Sequence, residues 1–247
     1  MRTAVSLFTG CGGSDKGLIK SGFDVLMAND ISAYASKVYS FNLPQTDYKV
    51  GDISEVKSFP KSDLLAGCYP CQGFSSGGVR DPKRSINFLY REFDRALRLI
   101  KPKAFIVENV PGMKKANFLH LLKNQIYRFR FAGYKVVWNT LNAMDFGLAQ
   151  ERLRIFIVGI RSDFGISYEF PKPTYGPLSN NPYRTQREVI GNLPLWPKGE
   201  FCEDEFHWYY LSRNRYRGWD EQSKTIVAQA RHLPLHPESP NLIKVHD

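Results

Sequence analysis

No stretch of this 247-residue chain approaches the roughly 18–20 apolar residues that a transmembrane helix requires, and the opening MRTAVSLFTGCGG carries no signal-peptide core followed by a cleavage site. Membrane insertion and secretion are therefore not expected. Cysteine is scarce. Cys11, Cys68, Cys71 and Cys202 are unevenly spaced and make no disulfide framework, which suits a reducing cytoplasm. Cys68 and Cys71 form a single CxxC pair with no second pair to complete it, so zinc and thioredoxin-like chemistry are disfavoured. His207, His232, His236 and His246 have no paired ligand spacing with acids or cysteines, and no metal site is inferred. Internal repeats and low-complexity tracts are also missing. Acid is in short supply: 24 Asp and Glu face 34 Lys and Arg, a net charge of +10. That excess points to a polyanionic partner, though a merely basic soluble enzyme also satisfies it.

What is present reads as α/β. Thr3 to Phe8 is a buried strand that runs into Thr9-Gly10-Cys11-Gly12-Gly13-Ser14 and then a helix from about Asp15 to Ser21. Glycines at Gly10, Gly12 and Gly13 let a backbone approach a ligand closely, and the free N–H groups of a helix start favour a carboxylate or phosphate. A second strand, Asp24 to Ala28, ends at Asn29-Asp30, about twenty residues after the turn, where an acid can bind ribose hydroxyls. Asp30 suits a helix cap equally well. Asp52, after a third short strand, is either an acceptor for an adenine amino group or a turn residue.

Leu64 and Leu65 lead to AGCYPCQGFS, which puts Cys71 at the carboxyl end of a strand, where open α/β sheets bind ligands. Gln72 to Asn87 is basic, glycine-rich and without apolar periodicity, the pattern of a lid. A helix from Phe88 to Ile100 follows, then strand Ala104 to Val107 ending at Glu108-Asn109-Val110-Pro111-Gly112. Glu108 is thereby expected in the same crevice as Cys71. Helix Asn117 to Phe131, strand Tyr134 to Leu141 and strand Ile155 to Ile160 complete the series, and alternation predicts Arg152 and Arg154 on one face. After Ser162 the rhythm stops. The predicted boundary near residue 170 separates residues 1–170 from 171–247. The second part interleaves aromatics with Arg213, Arg215, Arg217 and Arg231, the footprint of a nucleic-acid reader or of a loop-rich subdomain held by aromatics.

Taken in order, FTGCGG, ND, GDI, PCQGFS, ENVPG and QERLR closely resemble the ordered motifs of DNA (cytosine-5) methyltransferases. A nicotinamide dehydrogenase would account for the glycine turn and Asp30 alone. The resemblance implies a doubly wound, Rossmann-like S-adenosylmethionine-dependent methyltransferase domain and a smaller, irregular, partial target-recognition domain. It implies S-adenosylmethionine as methyl donor and S-adenosylhomocysteine as product, held by Phe8, Gly10, Gly12, Gly13, Asp30, Asp52, Ile53, Pro70 and Leu89. It makes Cys71 the nucleophile that adds to carbon 6 of a flipped-out cytosine, with Glu108, Arg152 and Arg154 holding the base. Duplex DNA would be contacted through Gln72, Ser75, Arg80, Arg213, Arg215, Arg217 and Arg231. The segment SRNRYRGWDEQSKTI resembles the recognition region of bacterial members that read GGCC-like sites. An RNA substrate is the alternative within the family. Two later family segments, Arg-Glu-x-x-Arg-x-Gln-x-Phe-Pro and Gly-Asn-x-Val-Pro, do not occur, so a fragment, or one subunit completed by a second polypeptide, is expected. The non-enzyme alternative is a catalytically incomplete DNA-binding subunit.

Overall fold

The computed structural model describes residues 2–70, 85–194, 216–226 and 236–238. The chain forms two compact units, Met1–Thr140 with Arg154–Phe170, and Leu141–Leu153 with Pro171–Asp247. The sequence pattern predicts one division, near residue 170. The segment Leu141–Leu153 nevertheless belongs with the later residues, because its backbone pairs with theirs.

In the first unit, β1 (Arg2–Leu7), β2 (Phe23–Asp30), β3 (Asp47–Val50), β4 (Leu64–Gly67), β5 (Ala104–Asn109), β6 (Tyr134–Asn142) and β8 (Leu153–Arg161) form one sheet in the order β3-β2-β1-β4-β5-β8-β6. The intervening β7 (Gln150–Glu151) lies elsewhere. Neighbours from β3 to β5 are parallel, and β8 runs antiparallel to β5. Central parallel strands are covered on both faces and so read as apolar runs rather than alternating ones. The last four residues of β1 are buried, as are all four of β4.

Helix α1 (Gly13–Lys20) packs on β2, α2 (Ala33–Asn42) on β3 and β2, and α3 (Tyr90–Ile100) on β4 and on α4 (Ala116–Phe131). Successive strand residues point to opposite faces. Val5, Leu7, Leu65, Phe105 and Val107 accordingly join the apolar side of α3 and α4 in one core, while Ala4, Val25 and Leu64 meet Leu18 and Ile19 of α1 in another. The first core is centred on Phe105, whose ring meets Phe93, Phe129 and Tyr134 edge-on. Helix α3 stops where Lys101 takes a left-handed φ of 53° before Pro102, since proline cannot continue a helix.

Strand order reverses between β1 and β4. The chain leaves β1 towards β2 and β3 on one side, then returns to β4 and β5 on the other. Such a switch point opens a crevice at the carboxyl ends of the strands.

The second unit, in its described residues, holds β7, α5 (Gln186–Ile190) and β9 (Ser223–Lys224), with β7 and β9 parallel. Lys224 bonds the Glu151 carboxylate, and the Thr225 hydroxyl donates to the Glu151 carbonyl at 2.9 Å. Asp145 ties a second loop in: its carbonyl accepts from Thr174 N and Tyr175 N, and its carboxylate accepts from the Tyr183 hydroxyl. Arg187 forks onto Asp220 at 2.8 and 3.0 Å beneath Trp219. These short pairings at long sequence separation carry no periodic signal.

Candidate active site

The strand register sets the geometry of the crevice. Leu7 pairs with Asn29 on one side and Gly67 on the other, and Gly67 pairs with Val107. The next residue of each strand, Asp30, Phe8, Cys68 and Glu108, therefore lies in one row at the carboxyl edge. At the usual spacing of about 4.8 Å per strand, Asp30 and Glu108 are roughly 14 Å apart, on either side of the switch point.

On the β1 side, Phe8 takes a left-handed φ of 58° and turns the chain out of the sheet. A non-glycine residue seldom adopts that conformation. Its ring rests edge-on against Tyr69, with centroids 6.0 Å apart. Gly12 has φ +85° and caps α1, and a Cβ there would lie 2.7 Å from the Tyr39 ring. A Cβ on Gly10 or Gly13 would meet nothing within 4 Å. Gly12 is thus needed for packing, while Gly10 and Gly13 face open space.

Asp30 accepts from Gly10 N and Ser32 N, both at 2.9 Å. It does not cap α2; Ser32 does, accepting from Ala35 N. Ile31, next to Asp30, is 72% exposed. Asp52 caps a 3-10 turn at Ile53–Glu55, and its bond from Ser54 N holds its carboxyl below the usual range. Ile53 is buried in the core under that turn. A groove of about 630 Å³ beside Asp52, lined by Met27, Asn29, Val50, Val56 and Phe59 among others, opens at the carboxyl ends of β2 and β3.

On the β5 side, Glu108 pairs with Phe156 across the antiparallel ladder. Arg154, two residues earlier on β8, shares that face and reaches diagonally to Glu108, Nε to Oε1 at 2.6 Å, with the side chains 18% and 27% exposed. Arg152 stands between β7 and β8. The strand breaks at this residue, whose N–H donates to Asn142 Oδ1 and whose carbonyl accepts from Ala143 N, both at 3.0 Å. It falls in the second unit, with Arg154 in the first.

Between the two sides, Cys68 N donates to the Leu7 carbonyl at 3.2 Å. Burial pushes the Cys68 thiol up to about 12, and the Glu108 charge adds to the effect. Asn109, buried, donates to the Tyr69 carbonyl at 3.3 Å and accepts from Val110 N at 2.9 Å, fastening the loop after β5 to the segment that leads into Pro70. Pro70 and Leu89 are half-buried, and Leu89 opens α3 against the core.

Cys71, Gln72, Ser75, Arg80, Arg213, Arg215 and Arg231 lie outside the described residues, as does most of the expected lid. The lid cannot extend to Asn87, however. Ser85–Phe88 forms a 3-10 turn in which Asn87 is buried. Within its own unit Arg217 donates to the Tyr216 carbonyl at 3.1 Å and ion-pairs with the Glu221 carboxylate at 3.7 Å. Two residues that sequence reasoning did not single out belong to this region. Asn109 stands beside Glu108 in the quoted ENVPG stretch, so adjacency was its only signal. Asp15, on the first turn of α1, had none beyond a helix start.

The chain matches the profile of the family described as C-5 cytosine-specific DNA methylase over residues 2–240. It is 36% identical to Type II methyltransferase M.BsuRI of Bacillus subtilis, across 98% of this chain and 62% of that one. It is 39% identical to Type II methyltransferase M.BspRI of Lysinibacillus sphaericus, across 88% of this chain and 52% of that one. The chain thus spans only part of the length of both relatives. The Dnmt2 methyltransferase of S. pombe has the same fold, with a TM-score of 0.64 at 17% identity over 94% of this chain and 73% of that one.

Proposed function

Because this chain belongs to the C-5 cytosine-specific DNA methylase family, we propose that it carries the catalytic part of a restriction–modification DNA (cytosine-5) methyltransferase that uses S-adenosylmethionine. The observation that carries this reading is the row at the sheet edge, with Asp30 on one side of the switch point and the Glu108–Arg154 pair on the other.

The residues on the β1 side suit the cofactor. Asp30 uses two of its four acceptor positions on Gly10 and Ser32, which leaves two for ribose hydroxyls. Gly10 and Gly13 border open space that a Cβ would begin to fill. Phe8, Asp52, Ile53, Pro70 and Leu89 complete the set, with Gly12 shaping the turn. When bound, S-adenosylmethionine supplies an electrophilic methyl group.

The residues on the β5 side act on the base. Carbon 5 of cytosine is a poor nucleophile until a soft thiolate adds to carbon 6, and Cys71, following Pro70, has that role. The target must leave the duplex stack to be reached. Glu108 engages the exocyclic amine and delivers a proton to ring nitrogen 3, neutralising the negative charge that addition places there. Arg154 fixes the Glu108 carboxylate through its 2.6 Å ion pair. With Arg152 it holds the base carbonyl and nearby backbone. Carbon 5 of the adduct then takes the methyl group, and loss of the carbon-5 proton to solvent leaves its electron pair to re-form the 5,6 double bond as Cys71 departs as thiolate.

The test is transfer of labelled methyl from S-adenosylmethionine to unmethylated DNA, with RNA in parallel and nucleoside analysis of both. It is run with the chain alone and with the part of M.BsuRI outside the match supplied in trans. Labelled 5-methylcytosine in DNA that disappears with Cys71→Ser is the expected result. Label in RNA only, on another base, or in neither arm overturns the reading.

A further inference from the structure

Asp15 is fully buried on the first turn of α1 and, among the described residues, pairs with no cation. Four hydroxyls supply its bonds instead. Ser6 Oγ donates at 2.5 Å and Ser14 Oγ at 3.1 Å to Oδ1, while Thr9 Oγ1 donates at 2.6 Å and Tyr39 OH at 2.8 Å to Oδ2. All four acceptor positions of the carboxylate are filled. Taking a carboxylate out of water is costly unless it is fully bonded, and a fully bonded network in a low-dielectric interior rigidifies what it joins.

The four donors come from four different elements: Ser6 from β1, Thr9 from the glycine turn, Ser14 from α1 and Tyr39 from α2. Thr9 N also donates to the Asn29 carbonyl, and the Thr9 carbonyl accepts from Gly12 N, so Thr9 bridges the turn to β2. The Tyr39 ring forms the floor under Gly12, where no Cβ fits. What this network fixes is the turn that carries Phe8, Gly10 and Gly13 and that presents Gly10 N to Asp30 at 2.9 Å.

We propose that Asp15 is a positioning residue for the cofactor. Its hydroxyl network holds the Phe8–Gly13 turn in the shape that receives S-adenosylmethionine before the ligand arrives, so that binding does not have to order the turn. This inference rests on the cofactor reading above.

The test is calorimetric titration of the whole chain with S-adenosylhomocysteine, alongside initial rates against S-adenosylmethionine concentration. Tyr39→Phe and Thr9→Val each remove one donor and leave the packing volume nearly intact. Each is expected to weaken binding by about fivefold, the effect of one hydrogen bond. Asp15→Asn is expected to weaken it more than tenfold, as an amide N–H then faces hydroxyl donors. KM for S-adenosylmethionine should rise in step while kcat holds. Asp94→Asn, which breaks a buried ion pair between α3 and α4, serves as a destabilised control with unchanged affinity. Should Asp15→Asn not fold, the Tyr39→Phe and Thr9→Val pair decides. Folded variants that bind like the wild type, or that lose only kcat, overturn the positioning role and leave the cofactor reading intact. A wild-type chain that binds neither S-adenosylhomocysteine nor S-adenosylmethionine, alone or with the part of M.BsuRI outside the match supplied in trans, overturns both.

Discussion

Glu108 and Arg154 are 46 residues apart in sequence, yet their side chains meet in an ion pair between β5 and β8. Arg154→Met leaves a partly buried carboxylate without its partner. The expected cost is about 1–3 kcal/mol of stability, below that of a fully buried pair, and a fall of about a hundredfold in methyl transfer. Urea unfolding and kcat/KM measure the two separately. If the pair acts as a unit, Glu108→Gln combined with Arg154→Met should be little worse than either change alone. The glycines give an opposed pair of outcomes. Gly12→Ala forces a side chain into a left-handed φ, about 1–2 kcal/mol, and drives its Cβ into the Tyr39 ring, about 1–3 kcal/mol more. Gly13→Ala has neither problem and improves helix propensity by up to about 1 kcal/mol, but its methyl enters the open space beside the turn. It should raise the unfolding midpoint and weaken cofactor binding together. At this scale the sequence showed which residue types stood at strand ends. It could not separate Gly12 from Gly13, because the Tyr39 ring that distinguishes them comes from another helix.

Helices α3 and α4 are joined by Asp94, whose side chain is 2% exposed and accepts from Arg98 Nε at 3.1 Å and Arg128 Nη2 at 2.6 Å. Removing one member of such a group strands buried charge. Asp94→Ala should lower stability by about 3 kcal/mol through a lower urea midpoint at unchanged m-value. Specific activity of the folded fraction should hold, because Asp94, Arg98 and Arg128 are not among the residues assigned to cofactor or base. The elements themselves were legible wherever periodicity was long. Helix α3 keeps an apolar face over three turns, and it begins at Tyr90 rather than the expected Phe88 because Ser85–Phe88 is wound into a 3-10 turn. The pairing of Gln150–Glu151 with Ser223–Lys224 was not legible. Two residues make no period, and the partner stands over seventy positions away.

For the molecule as a whole, charge and burial set the response to salt and pH. A net charge of +10 should make DNA binding fall linearly on a plot of log affinity against log salt, with a slope that counts the phosphates neutralised. Fluorescence anisotropy across salt concentrations measures it, and a flat line would mean that the charge is not used on DNA. In alkali, burial raises Cys68, Tyr48 and Tyr134 to about 12 from ordinary values of 9.0, 10.0 and 10.0. All three stay protonated in both folded and unfolded chains below about pH 8, so their contribution is then complete. Above that pH the unfolded chain ionises first, and stability should fall progressively towards pH 12. Urea midpoints between pH 8 and 11 follow the loss, and Cys68→Ala should flatten its onset.

By itself the sequence determined the strand–turn–helix order, the identity of the residues at each strand's carboxyl end and the family they resemble. These follow from local backbone preference and from side-chain chemistry read in order along the chain. Tertiary structure alone decided that Asp30, Phe8, Cys68 and Glu108 share a row, that Arg154 rather than Arg152 joins the first unit, and that Asp15 gathers four hydroxyls beneath the glycine turn. Register and burial are properties of how elements pack. A hydroxyl meets a carboxylate only after strands and helices from distant parts of the chain have been brought together.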